Sequence, residues 1–269
     1  MRSSNYITMY DLGEGFLYTT GRVVDAQRIG QRFCRLKLRL GRDLGEVSPF
    51  QFIMAGLPGE FEIPLTVSMY NREKLILDLF FKVREYSTEK LCGSVKYISL
   101  RGFYGKNRLN LVIGDKVLYI TEDLGFSSLP LLISWIKKNS KVLDVIMVFE
   151  NESEIFEVAK LIDMDFGGRI VQCIRSDLEE RLELITKSTT SNTWKTILAA
   201  GGRELLKKAC ELAYELGAEG VIAPYTRIKC GIGACGYCII PRTKYLLCVD
   251  GPIFKCSELA SYLGLEHGD

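Results

Sequence analysis

Histidine is almost missing: the chain has one, His267, close to its C-terminus. A Ser-His-Asp triad therefore has no internal histidine to draw on. A Rieske site lacks the two it needs, and histidine-built zinc hydrolase sites are disfavoured. Long apolar runs are missing too; none reaches the ~18 residues a membrane span requires. Charge of one sign is not in excess: 35 Lys and Arg against 33 Asp and Glu leave a net +2. That is too little for a field that draws in nucleic acid or a membrane surface. The opening stretch MRSSNYITMYDLGEG has no apolar core of the signal-peptide kind. The expected location is cytoplasmic, with no membrane span and no nucleic-acid partner.

Cysteine is plentiful, at nine residues. In a reducing compartment these are not expected to build a disulfide framework. Cys34, Cys92, Cys173 and Cys210 are dispersed and read as small buried hydrophobes without a role. The other five crowd into residues 230–256, which reads as metal binding.

Residues 5–100 look β-rich. Cys34–Leu40 alternates apolar and polar, as a half-buried strand does, and Gly41 and Gly45 follow it. Leu75–Val83 and Val95–Leu100 are further strand candidates. Short strands punctuated by Gly, Pro and Asn predict a small antiparallel barrel. From about residue 115 strands alternate with helical spacing. Strands are expected at Val117–Thr121, Leu143–Phe149, Arg169–Ile174 and Thr196–Ala200. Helices are expected at Ser128–Lys138, Glu152–Leu161, Asp177–Thr186 and Arg203–Leu216. Such alternation means a parallel sheet covered by helices. The expected fold is multidomain, β plus α/β. It has a barrel over 1–110, a nucleotide-binding-like α/β domain over 111–222, and a small metal-centred domain over 223–269.

The metal motif is Cys230-Gly-Ile-Gly-Ala-Cys235-Gly-Tyr-Cys238, then nine residues and Cys248. This is C-x4-C-x2-C…C, the plant-type [2Fe–2S] spacing. Gly231, Gly233 and Gly236 permit the turns that wrap a loop around a cluster, and let backbone N–H groups approach its sulfurs. Structural zinc or free buried thiols are the competing readings; a zinc ribbon uses two paired knuckles with a longer separation. Cys256 competes with Cys248 for the fourth position, and the shorter hairpin favours Cys248.

The stretch Lys229–Phe254, with CGIGACGYCII and then LLCVDGPIF, resembles the electron-transfer subunit of dihydroorotate dehydrogenase B. In that family the last cluster ligand directly precedes V-D-G-P-x-F, as Cys248 does here. The order barrel, α/β unit, cluster domain is similar to the ferredoxin-reductase plan. The resemblance implies FAD in the barrel. Its Arg-Pro-x-Ser stretch corresponds to Ile63-Pro64-Leu65-Thr66, where isoleucine replaces the arginine that pairs with the pyrophosphate. A second flavin contact falls on Phe80-Phe81-Lys82. A third, a Gly-x-Gly-Thr turn, falls on Glu85-Tyr86-Ser87-Thr88. Arg72, Lys82 and Arg84 are the cations at hand to supply the lost charge. Gly102-Phe-Tyr-Gly105 is similar to the turn that ends the family's barrel.

The family's glycine-rich nicotinamide turn is replaced here by Ile120–Ser128, in which only Gly125 persists. Glu122 and Asp123 bring negative charge to a helix N-terminus. The family's Cys-Gly-Pro turn reads Ala200-Gly201-Gly202. The resemblance implies a partner, the catalytic FMN-containing dihydroorotate dehydrogenase subunit of pyrimidine biosynthesis, in a heterotetramer. Electrons are expected to pass from that subunit through [2Fe–2S] and FAD to an acceptor other than NAD. Similar subunits that serve hydrogenases, ferredoxin-linked or sulfur-metabolising reductases are the alternative, as is a flavin-free structural subunit.

Overall fold

A computed structural model describes residues 18–57, 60–84, 86–93, 95–106, 108–159, 168–188 and 193–265. His267 and Glu85 lie outside the described residues, as does the C-terminal end of the helix expected at 152–161.

Six strands close a barrel: β1 (Tyr18–Ile29), β2 (Phe33–Leu40), β3 (Phe52–Gly56), β4 (Ile63–Asn71), β5 (Ile76–Lys82) and β6 (Tyr97–Tyr104). Their order is β1-β2-β5-β4-β3-β6, with β6 returning to β1, and every pairing is antiparallel. The alternation read at residues 34–40 works as expected. Cys34, Leu36, Leu38 and Leu40 point into the barrel, and Leu77, Leu79 and Phe81 meet them from β5. Each such side chain, fully buried, contributes roughly 1.5–3 kcal/mol. The short helix α1 (Tyr86–Cys92) sets Leu91 against that interior. The expected turn at Gly102–Gly105 is instead the end of β6. Gly102 has φ +118°, and the register against β3 shifts between Phe52 and Met54, so a bulge bends the strand there.

After α2 (Leu109–Val112) the chain forms β7 (Lys116–Glu122), α3 (Leu129–Lys138), β8 (Val142–Phe149) and α4 (Glu152–Ala159). β9 (Ile170–Ile174), α5 (Leu178–Ser188), β10 (Thr196–Gly201), α6 (Arg203–Glu215) and β11 (Glu219–Pro224) follow. The strands run parallel in the order β11-β10-β7-β8-β9, and the two-residue β12 (Phe254–Lys255) pairs antiparallel on β11. β11 carries no strand signal in the reading above, yet Val221 and Ile222 are fully buried. The cluster segment is thus an extension of this sheet, closed by α7 (Leu247–Asp250) and α8 (Ala260–Leu263).

One expectation is overturned. Cys34 is disulfide-bonded to Cys92 and Cys210 to Cys256, each with Cα atoms 5.8 Å apart. The first ties β2 to α1; the second ties α6 to the residue after β12. Proximity decides these pairs, since both join elements that pack together in the fold although 58 and 46 residues separate them in sequence. Cys173 alone of the dispersed four remains a buried free thiol.

Candidate functional site

The cysteine loop leaves β11 and folds back on itself. Gly231, Gly233 and Gly236 all have φ between +67° and +80°. At Gly233 the need is doubled, because a Cβ would lie 2.6 Å from Val249 Cγ2. Residues 238–247 then form a small hairpin. Ile239 bridges Leu246, Leu247 N–H donates to the Cys238 carbonyl at 3.0 Å, and Asp250 Oδ2 accepts from Leu246 N–H at 2.8 Å. This hairpin delivers Cys248 beneath Cys238.

The sulfurs come as two pairs. Cys238 and Cys248 Sγ lie 3.2 Å apart, both buried, at 1% and 3% exposure. Cys230 and Cys235 face each other nearer the surface, Cys235 exposed. Among the described residues no three His, Cys, Asp or Glu side chains gather round one point as a single metal ion requires. The environments of the pairs differ. Burial opposes ionisation of Cys230, but N–H groups of Ile232, Cys235 and Ala234 and the Cys235 thiol outweigh it and hold the thiol at about 7. Burial, and then the neighbouring Cys238, push the Cys248 thiol up to about 12. Thiolate ligands are deprotonated, so a cation is needed to ionise Cys248. Cys256 is committed to Cys210.

A cleft opens beside this loop, between barrel and sheet. Pro64, Leu65, Thr66, Phe80 and Phe81 line its barrel side, Tyr225 its sheet side, and Ile228 and Leu247 its cluster side. Five of the residues expected to touch flavin are thus brought to one wall. Ile63, Lys82, Ser87 and Thr88 are not on it. Ile63 packs against the barrel interior, and Thr88 Oγ1 accepts the Arg84 backbone N–H at 3.0 Å. Phe80 is fixed by stacking on Phe33 at 5.2 Å between ring centres, a contact of about 0.5–1.5 kcal/mol. Aromatic and apolar walls with a hydroxyl at Thr66 fit a planar flavin ring.

Of the candidate cations, Arg72 pairs with Asp43 on another face. Lys82 Nζ lies 2.6 Å from Asp123 Oδ1, and Arg84 also binds the Asp123 carboxylate. Asp123 has φ +49°. Glu122, the preceding residue, points elsewhere. Its Oε1 accepts Gly202 N–H at 2.8 Å, and Arg175 lies 2.8 Å from Oε2. Gly202 is the N-cap of α6, so the helix served by Glu122 is α6 and not the nearer α3. The loop is locked by Tyr225 OH donating to the Glu122 carbonyl and Tyr119 OH donating to the Gly125 carbonyl, each at 2.9 Å. Tyr225 and Arg101, which donates to the Cys230 carbonyl at 2.8 Å, escaped the sequence reading. The one signal for Arg101 is its charge within the strand-like run Ile98-Ser-Leu-Arg-Gly-Phe-Tyr104.

Residues 226–260 match the family model of the iron-sulfur cluster binding domain of dihydroorotate dehydrogenase B. A Methanocaldococcus jannaschii protein named "Probable dihydroorotate dehydrogenase B (NAD(+)), electron transfer subunit" is 25% identical over 227 residues, 80% of this chain and 81% of that protein. A Pyrococcus furiosus protein of the same name is 28% identical over 225 residues, 80% of this chain and 82% of its own length. In sequence the chain is similar to proteins named as dihydroorotate dehydrogenase B electron-transfer subunits. Its fold is shared with a chain of the NADH-dependent reduced ferredoxin–NADP oxidoreductase, at a TM-score of 0.73, 18% identity, and coverage of 92% and 94%. The ferredoxin reductase of carbazole 1,9a-dioxygenase aligns at a TM-score of 0.60 and 13% identity over 78% of this chain and 69% of that one. A barrel and α/β sheet of the fold seen in those two structures therefore carry the segment that matches the iron-sulfur cluster binding model. No helix among the described residues is long and apolar enough to cross a membrane.

Proposed function

We propose that the chain is the electron-transfer subunit of a dihydroorotate-oxidising complex of pyrimidine biosynthesis. Its partner is a catalytic FMN-containing subunit, in a heterotetramer located in the cytoplasm. Cys230, Cys235, Cys238 and Cys248 hold a [2Fe–2S] cluster, and the cleft holds FAD. The observation that carries this reading is the shared wall. Ile228 and Leu247, two residues before Cys230 and one before Cys248, line the same cleft as Pro64, Leu65, Thr66, Phe80 and Phe81. Two pairs of sulfurs suit two irons better than one zinc.

When bound, the two groups supply one-electron and paired-electron carrying capacity; the chain's own residues position them and tune their surroundings. Phe80 and Pro64, on the cleft wall, would bound the ring site. The exposed edge of the cluster loop, with Cys235, Tyr237 and Ile239, is the side from which a partner reaches the cluster. Removal of hydrogen from dihydroorotate is assigned to the partner.

Glu122 supports an acceptor other than NAD. Its buried carboxylate sits at the end of β7, beside the Ile120–Ser128 stretch that replaces the glycine-rich turn, and brings negative charge where a dinucleotide would lie. A flavin-free subunit is the second reading. It draws on Ile63 in place of arginine and on the engagement of Lys82 and Arg84 by Asp123. The test is co-expression with the catalytic flavoprotein of the same source. The expected result is a stable complex in which dihydroorotate bleaches the iron–sulfur absorption of this chain under anaerobic conditions. A partner that neither binds nor reduces the chain contradicts the proposal.

A further inference from the structure

We propose that Arg101 is a positioning residue that ties the barrel to the cluster loop and sets how readily the cluster takes an electron, with Glu62 as its counterweight. The inference rests on the [2Fe–2S] reading above. Arg101 lies on β6 and is only 6% exposed. Three of its nitrogens are used. Nε donates to Glu62 Oε2 at 2.7 Å, Nη1 to Tyr104 OH at 2.8 Å, and Nη2 to the carbonyl oxygen of Cys230 at 2.8 Å.

A buried guanidinium is costly unless every donor is matched, and an apolar side chain would fill a barrel wall with less difficulty. Its presence here therefore points to the one partner outside the barrel, the first cysteine of the cluster motif. The surrounding contacts are built for that loop. A Cβ at Gly231 would touch Met54 Cγ at 3.2 Å and Tyr104 Cδ2 at 3.3 Å, so the loop rests on β3 and β6 with no room for a side chain. Tyr104 in turn packs on Phe52, which lines the flavin cleft. Arg101 thus touches the cysteine loop directly and the cleft wall through Tyr104 and Phe52. Holding the Cys230 carbonyl also fixes the Gly231 N–H, because the two point in opposite directions across a planar trans peptide.

The electrostatic consequence has a sign. Reduction adds one electron, and therefore one negative charge, to a four-thiolate cluster. A buried positive charge touching a ligand peptide favours that state. Glu62 offsets part of the charge. Its other oxygen, Oε1, is buried without a hydrogen-bond partner, so the carboxylate is engaged chiefly through Arg101. Removing the cation should make reduction harder; removing the anion should make it easier.

The test is an EPR-monitored redox titration of the anaerobically purified full chain, with iron and sulfide measured on each sample. R101Q is expected to lower the reduction equilibrium about tenfold, which is 59 mV for one electron. E62Q is expected to raise it several-fold, and R101K to lie near wild type. Loosening of the loop alone would move R101Q and E62Q the same way, and that result overturns the proposal. So do midpoints within twofold of wild type in both variants with the cluster intact. If R101Q loses the cluster, the comparison of E62Q and R101K with wild type still decides. A wild-type chain without two irons and two sulfides instead removes the cluster reading itself, a failure that the metal analysis identifies separately.

Discussion

Cys248 and Cys256 are eight positions apart in the sequence and lead different lives in the fold. The hairpin that starts at Cys238 returns Cys248 to within 3.2 Å of its sulfur, whereas Cys256 follows β12 and reaches Cys210 on α6. Cys256→Ser should therefore keep the iron–sulfur absorption and lose a disulfide, read by thiol counting under denaturing conditions. Cys248→Ser should lose most of the chromophore. In the sequence the shorter hairpin and the V-D-G-P-x-F resemblance favour Cys248 over Cys256 as the fourth ligand. The sequence did not reveal the disulfides, since a cysteine's partner depends on which elements the fold brings together. Ile63 is the complementary case. The substitution was legible, but not where the displaced charge went. Lys82 and Arg84 are both paired with the Asp123 carboxylate. Asp123→Asn should free both cations and raise FAD affinity about tenfold, measured by quenching of flavin fluorescence; unchanged affinity would mean that they do not serve the phosphates.

At the scale of elements, the β7–α3 connection departs furthest from a dinucleotide-binding turn. Sequence reading placed two acids there and expected them to act together. The structure sends Glu122 to the start of α6 and Asp123 to the barrel, because the positive φ at Asp123 reverses the chain between them. Glu122→Gly should remove the negative charge from this turn and let NADH bind measurably by calorimetry, with wild type showing no heat above dilution.

The other end of the sheet offers a stability prediction. Asp144 on β8 accepts hydrogen bonds from Arg169 Nη2 at 3.0 Å and Trp194 Nε1 at 2.9 Å. Burial works against its charge. The bonds from the Arg169 side chain, the Arg169 backbone N–H and Trp194 outweigh it and hold the carboxyl below its ordinary value of 3.8. A depressed folded-state value means stability that is present above pH 3.8 and is lost as the pH falls through the folded value. Asp144→Asn should cost about 1 kcal/mol at neutral pH, allowing for solvent screening. In urea titrations the difference from wild type should shrink below that pH. Strands β8 and β10 were readable from their apolar runs. The tie between β8, β9 and the segment before β10 was not, since it joins residues far apart in the chain.

For the whole molecule, the barrel, the parallel sheet and the cysteine loop follow from patterns that a sequence carries openly: period-two alternation, strand–helix alternation and cysteine spacing. Their junction does not. Gly231 on Tyr104, Gln51 donating to the Gly105 carbonyl at 2.6 Å, and Lys106 N–H on the Gly251 carbonyl at 2.6 Å join three segments. Each contact is invisible until the chain is folded. The junction is also what gives the chain its proposed work, since it sets the cysteine pairs against the cleft wall. The account stands on both groups being present in one chain. The most direct measurement is iron, acid-labile sulfide and extracted flavin, quantified on one anaerobically purified sample together with its absorption spectrum. Two irons, two sulfides and one FAD per chain are predicted; zinc in place of iron, or a chain that takes up neither cluster nor flavin, would contradict the account.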